Sequence, residues 1–353
     1  MQQSNHRNNA MGEKEKITIY DLALRLNTTA STVSRALQNN LRISAKMRKA
    51  VQDLAAELNY IPDPVAHHLR TGKGNVLGIV VPRIDRNFFA TLISSFQSNA
   101  QKQNYNIIIA ASNESQDDEM AAVKSLLSKK VDGLAISLSA TSIGSDISSK
   151  YEEMCAAHNT RLVFFDRIPE KCKADSITND NFQIGYDAVM QFKKKGCRNI
   201  GIFTGPLLMK QYKDRFDGFK QALQDCGLPL YKRFVYENCI TMETGTETAM
   251  RILMDNDRPD AIFSSGDFSA ITAMDIFKRK GIRIPEDIAM IGVANEPFDN
   301  FLSTPLSSFD LNQQRTGELA ANLLINRISQ KETPSDFEHI IVMHNLILRS
   351  SAI

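Results

Sequence analysis

From Val76 onward the apolar residues fall into short continuous blocks, VLGIVVP, YNIIIAAS, VDGLAISLS and RLVFFD. Between them lie longer stretches where apolar residues recur every three or four positions, as in FFATLISSFQSNAQKQN and EMAAVKSLLSKK. Short uninterrupted blocks suit strands buried on both faces, and the wider spacing suits amphipathic helices. After Asp180 the alternation restarts with NIGIFTG, FVYEN, AIFSSG and IAMIGVAN. The pattern therefore predicts two successive α/β subdomains of parallel strands joined by crossover helices. Ligands of such sheets bind beyond the carboxyl ends of the strands, and here two sets of strand ends are expected to face one cleft. MHNLILRSSAI reads as a returning strand, and no heptad pattern predicts a coiled-coil tetramerisation segment.

The first part of the chain is patterned differently. Residues 1–15 are polar without periodicity and are expected to be disordered, and Met11 is a possible alternative start. Ile17 to Asn59 reads as three short helices: YDLALRL, a segment over 30–38, and SAKMRKAVQDLAAELN with Ser44 as its N-cap. Only Asn27–Thr29 separates the first two, so they must cross steeply, as in a helix-turn-helix.

The second helix is oddly composed. Thr28, Thr29, Ser31, Thr32 and Ser34 crowd into seven positions, although such side chains are mediocre helix formers. Val33, Ala36 and Leu37 keep the spacing of one buried face, which puts Ala30, Ser31, Ser34, Arg35 and Gln38 on the opposite one. Small side chains there permit close approach to another surface. Hydroxyls donate to phosphate oxygens, and arginine forks onto guanine O6 and N7. The bland alternative is a polar surface helix. Next, YIPDPVAHHLRTGKG places Pro62 as a stop, Asp63 and Pro64 as a start, and Gly72 and Gly74 as an end. The one or two turns between would be marginal alone and would order only when something packs on them.

Charge sharpens this division. Of the chain's 353 residues, the first 75 hold 11 Lys/Arg against 6 Asp/Glu, and the rest hold 31 against 34. A basic head on a mildly acidic body points to a polyanion partner for the head. No apolar run approaches the roughly 18 residues of a membrane span, and no signal peptide is recognisable, so a cytoplasmic protein without membrane partners is expected. Five scattered cysteines, never in C-x-x-C spacing, read as reduced thiols without a zinc site.

The residues ITIYDLALRLNTTASTVSRALQNNLRISAKMRKAVQDLAAELNYIPDPVAHHLRTG resemble the headpiece of the lactose-repressor (LacI) family of bacterial transcription regulators. T-V-S-R stands at Thr32–Arg35, and LNYIP and A-x-x-L-R-T-G follow. The resemblance continues through GIVVPRIDRNFFATLI, VDGLAIS, VFFDR, DRFDGFKQAL, DAIFSSGD, IPEDIAMIGV and PLSSFD, covering essentially residues 17–350. It implies a small all-α helix-turn-helix headpiece (residues 16–61), a hinge (62–75) and an α/β two-lobed periplasmic-binding-protein-like effector domain (76–353). Its N-lobe would take about 76–178 and 311–340, its C-lobe about 179–310 and 341–353.

The resemblance also implies roles. Thr29, Thr32, Ser34 and Tyr20 would hold phosphates, with Arg42 a further candidate. Ala30, Ser31 and Arg35 would face base edges of a pseudo-palindromic double-stranded operator bound by a homodimer. In the hinge, Leu69 would wedge into the minor groove and Ala66 would allow close approach. His67 and His68 read as polar hinge residues. Effector candidates are Arg86, Phe88, Phe89, Asp166, Arg167, Arg215, Asp267 and Asn295. Phe88 reads equally as helix packing, and Asp267 equally as a helix N-cap.

Two departures matter. Gly266-Asp267 replaces the family's usual Asn-Asp, and Ala294 stands where an acid often binds a sugar hydroxyl. Asn295 or Glu296 is left to substitute. With Arg86, Arg167 and Arg215 available, a sugar acid or sugar phosphate is the expected small-molecule effector. A sugar receptor without DNA-binding role is the rival reading, opposed by the basic head. No G-x-G-x-x-G, P-loop, G-x-S-x-G or H-E-x-x-H occurs, so neither an enzyme nor a cofactor is expected.

Overall fold

The computed structural model describes residues 17–60, 74–330 and 336–353. Contacts divide the chain into two compact units, residues 1–74 and 75–353.

The described part of the head is three helices: α1 (Ile19–Arg25), α2 (Ala30–Leu37) and α3 (Ala45–Glu57). Each start has its own cap. The Asp21 carboxylate reaches back to the backbone N–H and hydroxyl of Thr18, both at 2.7 Å. The Thr29 hydroxyl accepts from the Thr32 N–H at 3.2 Å, and that of Ser44 from the Met47 N–H at 3.3 Å. Asn27 takes the left-handed conformation (φ 47°) that closes the turn between α1 and α2. Helices of seven and eight residues are too short to persist alone. Their stability comes from a core in which Leu22, Val33, Ala36 and Val51 are fully buried.

The body contains two six-stranded sheets. The N-lobe sheet holds β1 (Val76–Val81), β2 (Asn106–Ala111), β3 (Gly133–Ile136), β4 (Arg161–Phe165) and β5 (Asp175–Asn179). Between β1 and β4 run α4 (Asn87–Lys102), α5 (Gln116–Ser128) and α6 (Ile147–Ala157). The C-lobe sheet holds β6 (Ile200–Phe203), β7 (Val235–Tyr236), β8 (Ala261–Ser264), β9 (Ala289–Val293) and β10 (Ser307–Asp310). Its helices are α7 (Asn181–Lys195), α8 (Lys210–Asp225), α9 (Met242–Met254) and α10 (Asp267–Arg279). The chain then returns through α11 (Gln313–Ser329), which packs on α4, and adds β11 (His339–Val342) to the first sheet and β12 (Asn345–Ile347) to the second.

Strand orders are β11-β5-β4-β3-β1-β2 and β12-β10-β9-β8-β6-β7. All pairs are parallel except β10 with β12, where Phe309 faces Leu346. Apolar layers cover both faces of each sheet. Two strands, DSITN and SSFD, lack the apolar runs that predict the others. The first carries Asp175, whose carboxylate is buried against the Arg327 guanidinium by two bonds of 2.8 Å. That pairing lets a polar strand enter the sheet.

The chain passes between the lobes three times, near residues 180, 311 and 343, and one side chain ties the passages together. The Asn179 amide nitrogen donates to the carbonyls of Leu311 and Val342, both at 2.9 Å. No two of the five cysteines are bonded, and among the described residues no helix is long and apolar enough to cross a membrane.

Candidate functional site

Two regions gather the polar side chains that the sequence singles out. The first is the outer face of α2 in the head. Ser31 and Arg35 are exposed, Ala30, Thr32 and Ser34 half-buried, and Val33 and Ala36 inside. The Thr29 hydroxyl sits 2.9 Å from that of Ser31 and 3.0 Å from that of Thr32, a hydroxyl cluster at the helix N-terminus. A helix N-terminus with hydroxyl donors favours phosphate oxygens. Tyr20 on α1 and Arg42 in the loop after α2 are also exposed, Tyr20 at 73%. Arg48 on α3 does a different job. Its guanidinium donates to the Ile43 carbonyl at 2.8 Å and braces that loop. Ala66, Leu69 and the His67-His68 pair lie outside the described residues.

The second region is a cleft of about 410 Å³ between the two sheets of the body, at the carboxyl ends of their parallel strands. Its N-lobe wall carries Arg86, Phe88, Asp166 and Arg167, and its C-lobe wall Tyr212, Arg215, Asp267, Phe268 and Glu296. Arg86 reaches across the gap, its guanidinium 4.3 Å from the centre of the Phe268 ring, a favourable cation–π arrangement. Phe88 packs against the apolar layers of both lobes and bridges them.

Arg215 is the most deeply set cation of the cleft. It projects from α8 where the backbone of that helix comes against α7 at Gly185: a Cβ added there would lie 1.9 Å from the Arg215 carbonyl oxygen. Nε donates to Asn181 at 2.9 Å and Nη1 to the Ser265 carbonyl at 3.0 Å. Burial lowers its pKa against the pull of nearby Tyr212, Asp166 and Asp267. Arg167 differs. Its Nη1 lies 2.6 Å from Glu114, which also accepts from the Ala140 N–H at 2.9 Å. Burial raises the Glu114 pKa, but the Arg167 bond and charge outweigh it and leave the carboxyl ionised below its ordinary value. Among the described residues neither Arg86 nor Arg215 forms an ion pair.

Two other carboxyls of the cleft are held closer to neutrality. Asp166, at left-handed φ 57°, accepts from the Ser137 hydroxyl at 3.3 Å, and burial raises its pKa despite Arg167 and Arg215. Asp267 is 1% exposed and accepts from the Ser308 hydroxyl at 2.8 and 3.0 Å and from the Glu296 N–H at 3.1 Å. Burial raises it too.

Two expectations are corrected. Asn295 does not line the cleft: its amide is spent on Asp310 at 3.1 Å and on Arg349 at 2.6 Å, and Glu296 takes the place facing inward. Asp267 is not an N-cap, since Gly266 caps α10 and the Asp267 carboxylate braces the β9 and β10 ends instead. Phe89 lines the cleft and also packs in the N-lobe core, 5% exposed. Glu114, Tyr212 and Phe268 were absent from the candidates. Nothing in their local pattern marks them, although DRFDGF two residues beyond Tyr212 does mark α8 as a cleft helix.

Residues 74–347 match the family model for periplasmic binding proteins and the sugar binding domain of the LacI family. Residues 18–63 match the one for bacterial regulatory proteins of the lacI family. The chain belongs to the LacI family. This LacI-family member is 29% identical over 336 residues to the HTH-type transcriptional repressor PurR of Pasteurella multocida, covering 95% of this chain and 98% of that one. It is 28% identical over 334 residues to the ribose operon repressor of Haemophilus influenzae, with the same coverage of 95% and 98%. The crystal structure of the lac repressor dimer bound to operator and the anti-inducer ONPF superposes with a TM-score of 0.83, at 21% identity over 96% of this chain and 100% of that one. At that identity the likeness speaks for the fold. A LacI-family protein with a helix-turn-helix head and a two-sheet sugar-binding-type body is a regulator, not an enzyme.

Proposed function

We propose that this LacI-family protein is a cytoplasmic transcriptional repressor, bound as a homodimer to a pseudo-palindromic operator, whose affinity for DNA is set by a small anionic, sugar-like effector held between the lobes. The names of its relatives support repression. In the head, Arg35 reads a base edge beside Ala30 and Ser31, while Thr29, Thr32, Ser34, Tyr20 and Arg42 hold phosphates. In the hinge, Ala66 and Leu69 form the second DNA element. Effector binding changes the lobe arrangement and so the two DNA-binding elements of the dimer.

One observation carries the anionic reading: two cleft guanidiniums, Arg86 and Arg215, have no ion-pair partner among the described residues, whereas burial pushes the cleft carboxyls Asp166 and Asp267 toward their neutral forms. Such a site is short of negative charge. Aromatic faces at Phe88, Tyr212 and Phe268 suit a sugar ring. Titration calorimetry with D-gluconate, D-glucose 6-phosphate and D-glucose tests this. Binding of an anion in preference to its neutral parent supports it. Tight binding of the neutral sugar, with none of its acid or phosphate, refutes it.

A further inference from the structure

Burying a carboxylate without a hydrogen-bond partner is costly, and sites that keep one are commonly built for a ligand. Glu296 is such a group. It is 4% exposed and lines the cleft. Its backbone N–H donates to Asp267, but among the described residues its carboxyl receives no hydrogen bond. Backbone geometry aims it there. Ala294 has φ 121° and Asn295 φ 50°, a pair of conformations that L residues rarely adopt. The bend turns the Asn295 amide to Asp310 and Arg349 and turns Glu296 to the cleft. Ala294 itself, at the strand end, offers no polar side chain.

The groups around Glu296 are unequal. Arg86 faces it from the N-lobe and favours its charged form, while burial and Asp267 raise its pKa to about 7. Asp267 is already committed to Ser308 and to the Glu296 N–H. Asp299 is fully buried behind them. Neither of its oxygens accepts a hydrogen bond, and Arg349 comes no nearer than 4.0 Å. Burial and the Asp267 charge push its pKa up to about 9, so it is a neutral acid beside Asp267. Of these three carboxyls only Glu296 offers free oxygens to the cleft.

We propose that Glu296 is the effector-recognising carboxyl of the C-lobe wall, accepting hydrogen bonds from adjacent hydroxyls of a polyhydroxylated ligand. Hydroxyls fit better than an ammonium group, because the Arg86 guanidinium faces the same space and repels a second cation. The inference rests on the reading of this cleft as the effector site. It adds a donor-bearing edge to the ligand, opposite the anionic end that Arg86 and Arg215 attract.

The experiment is calorimetric titration of the full-length protein and its Glu296→Gln variant with D-ribose, D-glucose, D-gluconate and D-glucose 6-phosphate, alongside thermal melts of both unliganded proteins. The ligand that binds wild type tightest is expected to bind E296Q about 10- to 100-fold more weakly, the loss typical of a hydrogen bond to a charged group. Unliganded E296Q is expected to melt at or above the wild-type temperature, since a carboxyl that receives no hydrogen bond has been replaced by a neutral amide. Equal affinities overturn the proposal and leave the cleft reading standing. Weaker binding together with a melt lowered by several degrees assigns Glu296 to the fold and overturns it as well. No binding of any of the four sugars to wild type overturns both.

Discussion

Gly185→Ala tests whether the α7–α8 crossing positions Arg215 in the cleft. The added Cβ would sit 1.9 Å from the Arg215 carbonyl oxygen and 3.0 Å from the Phe219 nitrogen, and both are backbone atoms that cannot rotate away. Carbon–oxygen contacts settle near 3.3 Å, so the helices must part by about 1 Å or more. Overpacking of this kind costs about 1–3 kcal/mol. At about 2–4 °C per kcal/mol for a domain of this size, the melting temperature should fall by about 2–12 °C. The same separation stretches the 2.9 Å bond from Arg215 Nε to Asn181, which joins the two helices at the cleft. Effector affinity should therefore drop about tenfold or more, beyond what the small loss of stability explains. Circular-dichroism melts and calorimetric titration of the variant check both effects. An alanine variant that melts and binds like wild type would refute the claim that backbone contact at Gly185 places Arg215.

Other outcomes follow from the same geometry. Arg35→Ala should cost about 1–3 kcal/mol of operator binding and relax preference at one base pair, measured by competition with singly substituted operators; equal weakening on all sequences would make Arg35 a phosphate contact. Asn179→Ala removes the donor shared by Leu311 and Val342 and leaves two buried carbonyls unpaired, so chemical denaturation should show a loss of about 2–5 kcal/mol. Asp299 has a raised pKa in the fold, so the native state holds a proton that the unfolded chain gives up near pH 4. This contribution is complete below about pH 4 and fades as pH climbs to about 9. Asp299→Asn removes the titrating group and should flatten the decline of melting temperature between pH 7 and about 9.

Much of this architecture is legible in the residue pattern because buried parallel strands must be apolar on both faces. VLGIVV, GLAI and AIFS announce themselves in that way. Asp175–Asn179 does not, because its place in the sheet depends on an arginine about 150 residues away in sequence. Helix α2 shows itself through a conflict, weak helix formers on one face and a sound apolar stripe on the other. In the cleft, residues that follow strands directly are readable, as Asp166 and Arg167 show after β4. Side-chain direction is not. Asn295 and Glu296 are polar neighbours, and the left-handed backbone at 294–295 turns Glu296 to the cleft. Glu114 was hidden for a similar reason, since its partner Arg167 lies 53 positions on.

The central claim is that a sequence-reading head is controlled by a ligand-binding cleft. Fluorescence anisotropy of the full-length protein on genomic fragments tests it most directly, with salt and the best-binding sugar as variables. A few fragments should be bound far more tightly than the rest, affinity should fall about 10³-fold or more between about 50 and 200 mM salt, and saturating sugar should shift the preferred-fragment affinity severalfold or more. Equal affinity for all fragments, unchanged by any ligand that the cleft binds, would contradict the account.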